Sequence, residues 1–441
     1  MTRRRRSLGP RHLLALAISA LAVGLAAVDG GYAASQWTPL AGLCLLPAGA
    51  LLLGVLPDFR WATPQTVATA ALGALASWSL LSVAWADDRS AALGGGARAA
   101  FYALAGVLVL APWPRAAARA ALAVVAIAVG GVAVVTLVVA HGADAGSLFL
   151  EGRLAQPLGY ASATSNLWLI AFFPCLGIAI DQQLTSAPRA FGLGGAGLLA
   201  QTALLSQSRG AVITFGIVVL AFVALHPRRG PALLALAGVL GLAAVNTGAL
   251  LDVREARSAA DLGDTAQHAA AVILLGTLLL TILAGLLIEG SKRLPGQAAA
   301  RLPRPRVGDR AALMLLAVGL ALFLGVARNP VTWTSDRWAD FKTSGYQDVE
   351  SGSSRFGGSL GSNRYDFYRV AVGEFASHPI LGIGADNFQI PYLRERRSTE
   401  APVHPHSLEL GFLAQGGLPA VGLCLTFAGA LGLAIWRSLR R

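Results

Sequence analysis

AARAALAVVAIAVGGVAVVTLVVA, residues 117–140, is the stretch on which the fold turns. It carries no charge after Arg119, and as a helix it is long enough to cross a hydrocarbon core of about 30 Å. Runs of the same kind recur on both sides of it, at approximately 11–28, 38–56, 65–83, 97–112, 165–180, 191–206, 210–225, 231–250, 268–288, 311–327 and 418–436. In lipid the backbone must satisfy its own hydrogen bonds, so spans of this length are helices. The pattern predicts an all-α polytopic membrane protein with about 12 transmembrane helices. The Gly- and Ala-rich stretch 230–250 is expected to be tilted or broken.

Composition agrees. Of 441 residues, 55% are hydrophobic and only 13% charged, which in a soluble protein would leave too much apolar surface in water. A net charge of +12 raises the question of nucleic acid. The charges sit in the connections between spans, so the partner they indicate is the lipid bilayer, with no nucleic acid. Cys44, Cys175 and Cys424 all lie in apolar runs and read as packing residues, not as a disulfide or metal framework. The N-terminal MTRRRRSLGPRH and the apolar run after it have the order of a secretory signal. The run is long for a signal core and more spans follow, so it reads as a retained first span.

Arginine and lysine in the connections set the orientation. With the N-terminus in the cytoplasm, the inside collects Arg3 to Arg6, Arg60, Arg115, Arg189, Arg228, the loop Lys292 to Arg310, and the tail Arg437 to Arg441. Four connections then face out: 141–164, the turn Ser206 to Gly210, 251–267, and 328–405. The last is by far the longest, and loops of that length usually carry function. The chain accordingly divides into 1–327, eleven spans with short loops; 328–405, the long external loop with short amphipathic helices; and 406–441, a site helix, the last span and a basic tail. The span centres hold almost no Asp, Glu, Lys or Arg, which weakens a reading as an ion-coupled transporter or pump.

The residues suited to chemistry fall on the outward side. Arg209, in SQSRG, opens a helix that runs inward, and an arginine beside a helix N-terminus suits an anion. The alternative is an arginine snorkelling to headgroups. Arg153, in Glu151-Gly152-Arg153-Leu154, either pairs with Glu151 or reaches the same anion. Arg364 and Arg369 flank Tyr365 and Tyr368 in an amphipathic segment on which Tyr365, Tyr368, Val372 and Phe375 or Ala376 share a helical face. The chain bends at His378-Pro379-Ile380-Leu381-Gly382-Ile383-Gly384. It then reaches His404-Pro405-His406-Ser407, at the head of a helix running to Gly416-Gly417-Leu418-Pro419. The spacing of His404 and His406 around a proline is not a usual metal-ligand pattern. A neutral histidine at a helix start suits a general base or a partner for a sugar hydroxyl; the plain alternative is a polar loop residue.

Taken together, these pieces resemble the O-antigen ligase and polymerase superfamily of membrane glycosyltransferases. They are Ser79 to Asp87 at the end of an early span, Gly152-Arg153-Leu154, Ser208-Arg209-Gly210, Arg364 with Tyr368, Pro379-x-x-Gly382-x-Gly384, His406-Ser407, and Leu413-Ala414-x-x-Gly417-Leu418-Pro419. The resemblance implies a GT-C-like enzyme of the bacterial cytoplasmic (inner) membrane with its site on the external or periplasmic side. It implies transfer of a glycan from an undecaprenyl-diphosphate carrier to a hydroxyl of a glycan or glycolipid acceptor. It implies no cofactor, no metal and no nucleotide sugar. Arg209 and Arg364, with Arg153, correspond to the diphosphate binders and His406 to the family histidine; Arg369, Tyr368 and His404 are expected to bind substrate. Ser407 stands where the family more often has asparagine, which leaves the orientation of His406 open. Arg209, Arg364 and His406 are expected to converge on one cavity. The rival readings are a multi-span transporter or flippase of polysaccharide precursors, and a non-catalytic scaffold of envelope assembly.

Overall fold

The computed structural model describes residues 10–26, 29–31, 33–55, 61–142, 145–293, 330–342 and 363–439. Among them are fourteen α-helices. They are α1 (Pro10–Ala26), α2 (Ala34–Leu52), α3 (Thr63–Leu81), α4 (Arg89–Leu110), α5 (Arg115–Ala140), α6 (Ala161–Ile180), α7 (Ser186–Leu205), α8 (Arg209–Leu225), α9 (Arg229–Asp252), α10 (Ala259–Arg293), α11 (Pro330–Lys342), α12 (Arg364–Ser377), α13 (Gln389–Glu395) and α14 (Leu408–Leu439). Seven of the described helices are long and apolar enough to cross a membrane. The protein is an all-α polytopic membrane protein. The span expected at 311–327 and most of the basic loop after Lys292 lie outside the described residues.

Two expectations change. The stretch 230–250 is neither broken nor divided: α9 is continuous from Arg229 to Asp252. Its Gly and Ala lower intrinsic propensity only modestly, and Ala235, Leu236 and Val239 are buried. The connection expected at 251–267 is shorter, because α10 begins at Ala259, capped by Ser258 Oγ accepting from Asp261 N at 3.1 Å. α12 is a helix as the spacing predicts, and its buried residues are Phe367, Val370 and Ala371 with Asp366. Both faces carry aromatics, and Tyr365 and Tyr368 instead meet Phe341 of α11 at 6.0 and 5.9 Å between ring centroids.

The helices fall into two compact units. One gathers α1 and α5–α10 around a core that includes Trp168, Phe172, Leu199 and Ile273. Its tightest approach is made by glycines of α7. A Cβ at Gly192 would sit 2.8 Å from the Cys175 carbonyl oxygen of α6, and one at Gly194 would strike Thr281 of α10. Small residues let backbones close up in this way where lipid gives no hydrophobic drive to helix association. The other unit gathers α2–α4 and α11–α14. There Phe367, Val370, Phe388, Tyr392 and Ala414 form a smaller core beside the apolar helices.

Candidate functional site

In the unit of α5–α10, three connections each deliver an arginine to one place. The first is a two-residue hairpin, Phe149–Leu150 against Arg153–Leu154, whose turn residues Glu151 and Gly152 both have positive φ. The second is the turn between α7 and α8, where Ser208 caps α8 by accepting from Ala211 N at 3.3 Å and Arg209 is the first helical residue. The third is the end of α9, followed by Val253-Arg254. Side chain and backbone lock them together. Arg153 Nε donates to the Ser206 carbonyl (3.2 Å), and Gln207 Nε2 to the Leu250 carbonyl (3.3 Å). Arg254 Nη1 donates to the Glu151 carbonyl (3.2 Å), and a Cβ on Gly152 would stand 2.7 Å from Arg254 Cα. Burial, then the charges of Arg153 and Arg209, push the Arg254 guanidinium below its ordinary value, with Glu151 opposing. Three cations held near a helix N-terminus form an electropositive patch suited to a multiply charged oxyanion. The sequence reading found Arg153 and Arg209 but missed Arg254. The available signal was its place directly after an apolar helix, on the same side as the other two.

In the other unit, the stretch from Arg364 to Pro419 folds on itself around a helix break. Gly417 adopts φ 62°, ψ −163° inside α14, and Pro419 follows it. The break frees carbonyls of the preceding turn, and each finds an outside donor. Ile383 N reaches Ala414 O (2.9 Å), Gly384 N reaches Gln415 O (3.0 Å) and Trp78 Nε1 reaches Gly416 O (2.8 Å). Leu418 N donates to Pro379 O (2.9 Å). The PILGIG bend is therefore the segment that satisfies the broken helix. A Cβ on Gly382 would strike Gln415, and one on Gly417 would strike Ile380. The early motif ending at Asp87 docks beside it: Ala385 N donates to Ser82 Oγ (3.0 Å), and Asn387 Oδ1 accepts from Asp88 N (2.7 Å).

This scaffold frames a cavity of about 500 Å³ between α3, α4 and α14. Its walls are largely apolar, including Leu72, Trp78 and Phe412, and Arg98, Asp386, His404 and His406 also line it. Asp386 has φ 53° and receives Arg98 Nη2 on Oδ2 at 2.5 Å; its Oδ1 lies 3.9 Å from His404 Nδ1. His406 is left-handed as well, at φ 55°, with its ring 5.5 Å from that of Phe367. Ser407 caps α14, accepting from Leu410 N at 3.2 Å. Serine and asparagine are equivalent in that role, so the departure from the family residue leaves the helix start intact. Partial desolvation and the nearby charge of Arg364 push His406 below its ordinary value, with Glu400 opposing. Desolvation also lowers His404, with Asp386 pulling the other way and Arg98 reinforcing the fall.

Arg364 begins α12 and is exposed. Arg369 is bound at home: it donates to Asp366 Oδ1 (2.9 and 3.1 Å) and to the Glu395 carbonyl (2.5 Å). Burial alone would raise the Asp366 carboxyl, but hydrogen bonds from Arg397 N, Arg369 and Tyr392 prevail and hold it below the usual range. Among the described residues no group of three or more His, Cys, Asp or Glu is placed to hold a metal ion.

Residues 194–425, just over half of the chain, match the family model described as O-antigen ligase. The match takes in Arg209, Arg254, Arg364, His404 and His406, and leaves out Arg98 and Arg153. No curated protein and no solved structure matches the chain. The chain belongs to the O-antigen ligase family, as a multi-pass membrane enzyme of the glycosyltransferase kind.

Proposed function

We propose that the protein transfers a glycan from an undecaprenyl-diphosphate carrier to an acceptor hydroxyl, at the external face of the bacterial cytoplasmic membrane, with inversion and without a metal ion. The observation that carries this reading is the gathering of Arg153, Arg209 and Arg254 beside the start of α8. A lipid diphosphate is the anion such a cluster fits in a protein otherwise made of apolar spans. When the acceptor oxygen attacks the anomeric carbon, charge grows on the leaving diphosphate oxygen. Arginines that meet that charge stabilise the transition state more than the ground state. By the family resemblance Arg364 is a further diphosphate ligand and His406 belongs to the acceptor side. Tyr368 and Arg369 act through α12, since the Arg369 guanidinium is taken up by Asp366 and the Glu395 carbonyl.

The test is the surface polysaccharide of a strain lacking the protein. Free polymer left on the carrier identifies a ligase, and single repeat units identify a polymerase. Unchanged polysaccharide in that strain overturns the reading.

A further inference from the structure

Pro379-Ile380-Leu381-Gly382-Ile383-Gly384-Ala385, the bend between α12 and α13, carries no polar side chain. Ile380 is 65% exposed and Leu381 44%, so two large apolar side chains stand uncovered next to each other. The backbone of the bend does not lean on water either. Proline brings no amide at 379. Four successive amides are then taken up inside the protein. Gly382 N donates to His378 O (3.0 Å), Ile383 N to Ala414 O (2.9 Å), Gly384 N to Gln415 O (3.0 Å) and Ala385 N to Ser82 Oγ (3.0 Å). Irregular backbone reaches membrane depth only where its polar groups are satisfied within the protein. An apolar bend whose amides are met in this way is compatible with lipid, and its exposed side chains are costly in water.

The depth of the bend follows from α14, to which it is tied. At 1.5 Å per residue the 32 residues of α14 run for about 48 Å, more than a hydrocarbon core of about 30 Å needs. About 30 Å of helix back from Arg437, in the last turn, ends at Gly417, where the helix breaks. The break therefore marks the hydrocarbon edge at the end of α14 away from its basic tail. Leu418, just inside that edge, is 55% exposed, and its amide donates to Pro379 O (2.9 Å). Trp78, near the end of α3, donates Nε1 to Gly416 O (2.8 Å), which puts an indole at the same level, where tryptophans gather in membrane proteins. We propose that the bend 379–385 is set into this edge of the bilayer, with Ile380 and Leu381 against lipid chains. The partner of this surface is the bilayer itself. The inference needs α14 to cross the membrane and does not rest on the transfer reading. It divides the long connection before α14 into a wetted part and an immersed one. His378 and Asp386 bracket the seven apolar residues, so the chain turns polar again on both sides of the immersed stretch. Through it α12 and α13 are pinned to the membrane at their junction.

The experiment uses full-length protein in vesicles of phosphatidylethanolamine and phosphatidylglycerol. Cys44, Cys175 and Cys424 are replaced by alanine, and one nitroxide is placed at a time through Ile380→Cys, Leu381→Cys, Leu425→Cys or Arg394→Cys. Collision rates are read with oxygen, which concentrates in hydrocarbon, and with a water-soluble nickel chelate. Leu425, exposed in the middle of the α14 span, is the lipid reference, and Arg394, exposed on α13, is the water reference. Labels at Ile380 and Leu381 should side with Leu425, colliding more with oxygen than with nickel. If they side with Arg394 the bend is in water, and if they collide little with either it is covered by protein; both results overturn the inference. A measurement without labels stands beside this one. In the same vesicles Ile380→Asp should melt a few degrees below Ile380→Leu, because a carboxylate at the hydrocarbon edge loses hydration that an exposed site in water would leave intact. Equal melting of the two variants overturns the inference as well.

Discussion

Replacing Gly417 with alanine should undock the PILGIG bend. At φ 62°, ψ −163° the backbone is in a region open essentially to glycine, so any Cβ costs about 1–3 kcal/mol in strain. The added methyl would also strike the Ile380 carbonyl and stand 2.9 Å from Pro379 O, and both obstacles are backbone that cannot rotate away. Relief requires the bend to move off, which breaks Leu418 N to Pro379 O (2.9 Å), Ile383 N to Ala414 O (2.9 Å) and Gly384 N to Gln415 O (3.0 Å). Three hydrogen bonds at about 1 kcal/mol each bring the total to about 4–6 kcal/mol. In a body of 150–250 residues that lowers the melting temperature by roughly 10–20 °C. The assay is thermal unfolding of purified protein in detergent, beside surface-glycan staining of complemented cells. Gly429→Ala is the control: it lies in the same helix, and a Cβ there meets nothing within 4 Å. It should leave both readouts near wild type. If Gly417→Ala melts and functions like Gly429→Ala, the helix break is not what the bend exists to satisfy.

Arg209→Lys keeps the charge but loses the planar fork, and should slow transfer by roughly 30- to 150-fold, about 2–3 kcal/mol. Arg254→Ala should raise the KM for the carrier lipid about tenfold or more; an unchanged KM removes it from the anion patch. Asp366→Asn should destabilise the protein by about 2–4 kcal/mol at pH 7, measured by thermal melting. Because the folded carboxyl is held below its ordinary value, that stabilisation is complete above about pH 4 and is lost as pH falls through the folded value, so wild type and variant should converge in acid. A reporter fused near residue 300 should read cytoplasmic and one near 350 external, and the same side from both would undo the orientation. Transfer should survive EDTA, and a loss restored by one divalent ion would argue for a metal step.

Hydropathy made the spans legible because a residue's preference for lipid is its own property, readable without its neighbours. Eleven of the expected runs appear as helices among the described residues, and the turn Ser206 to Arg209 falls where expected. The bend at 378–384 and the helix from Ser407 to Gly416 were legible for a related reason: proline, glycine and an N-cap serine act through local backbone geometry. What escaped the sequence reading depends on pairs. Arg98 sits near the start of a predicted span and Asp386 in a motif quoted for its glycines. They are 288 positions apart, and nothing in either segment names the other. Periodicity gave the phase of α12 but not its buried side, because Phe367 on one face and Tyr365 on the other are equally apolar, and α11 covers the second. Arg254 was reachable by counting sides, since residues that end one span and begin another on the same side are candidates for a shared ligand. That count treats every arginine alike. Only the contacts separate Arg254, locked to the Glu151 carbonyl beside two other guanidiniums, from the exposed Arg257 just before α10, and it is contact, not charge alone, that singles out the proposed anion site.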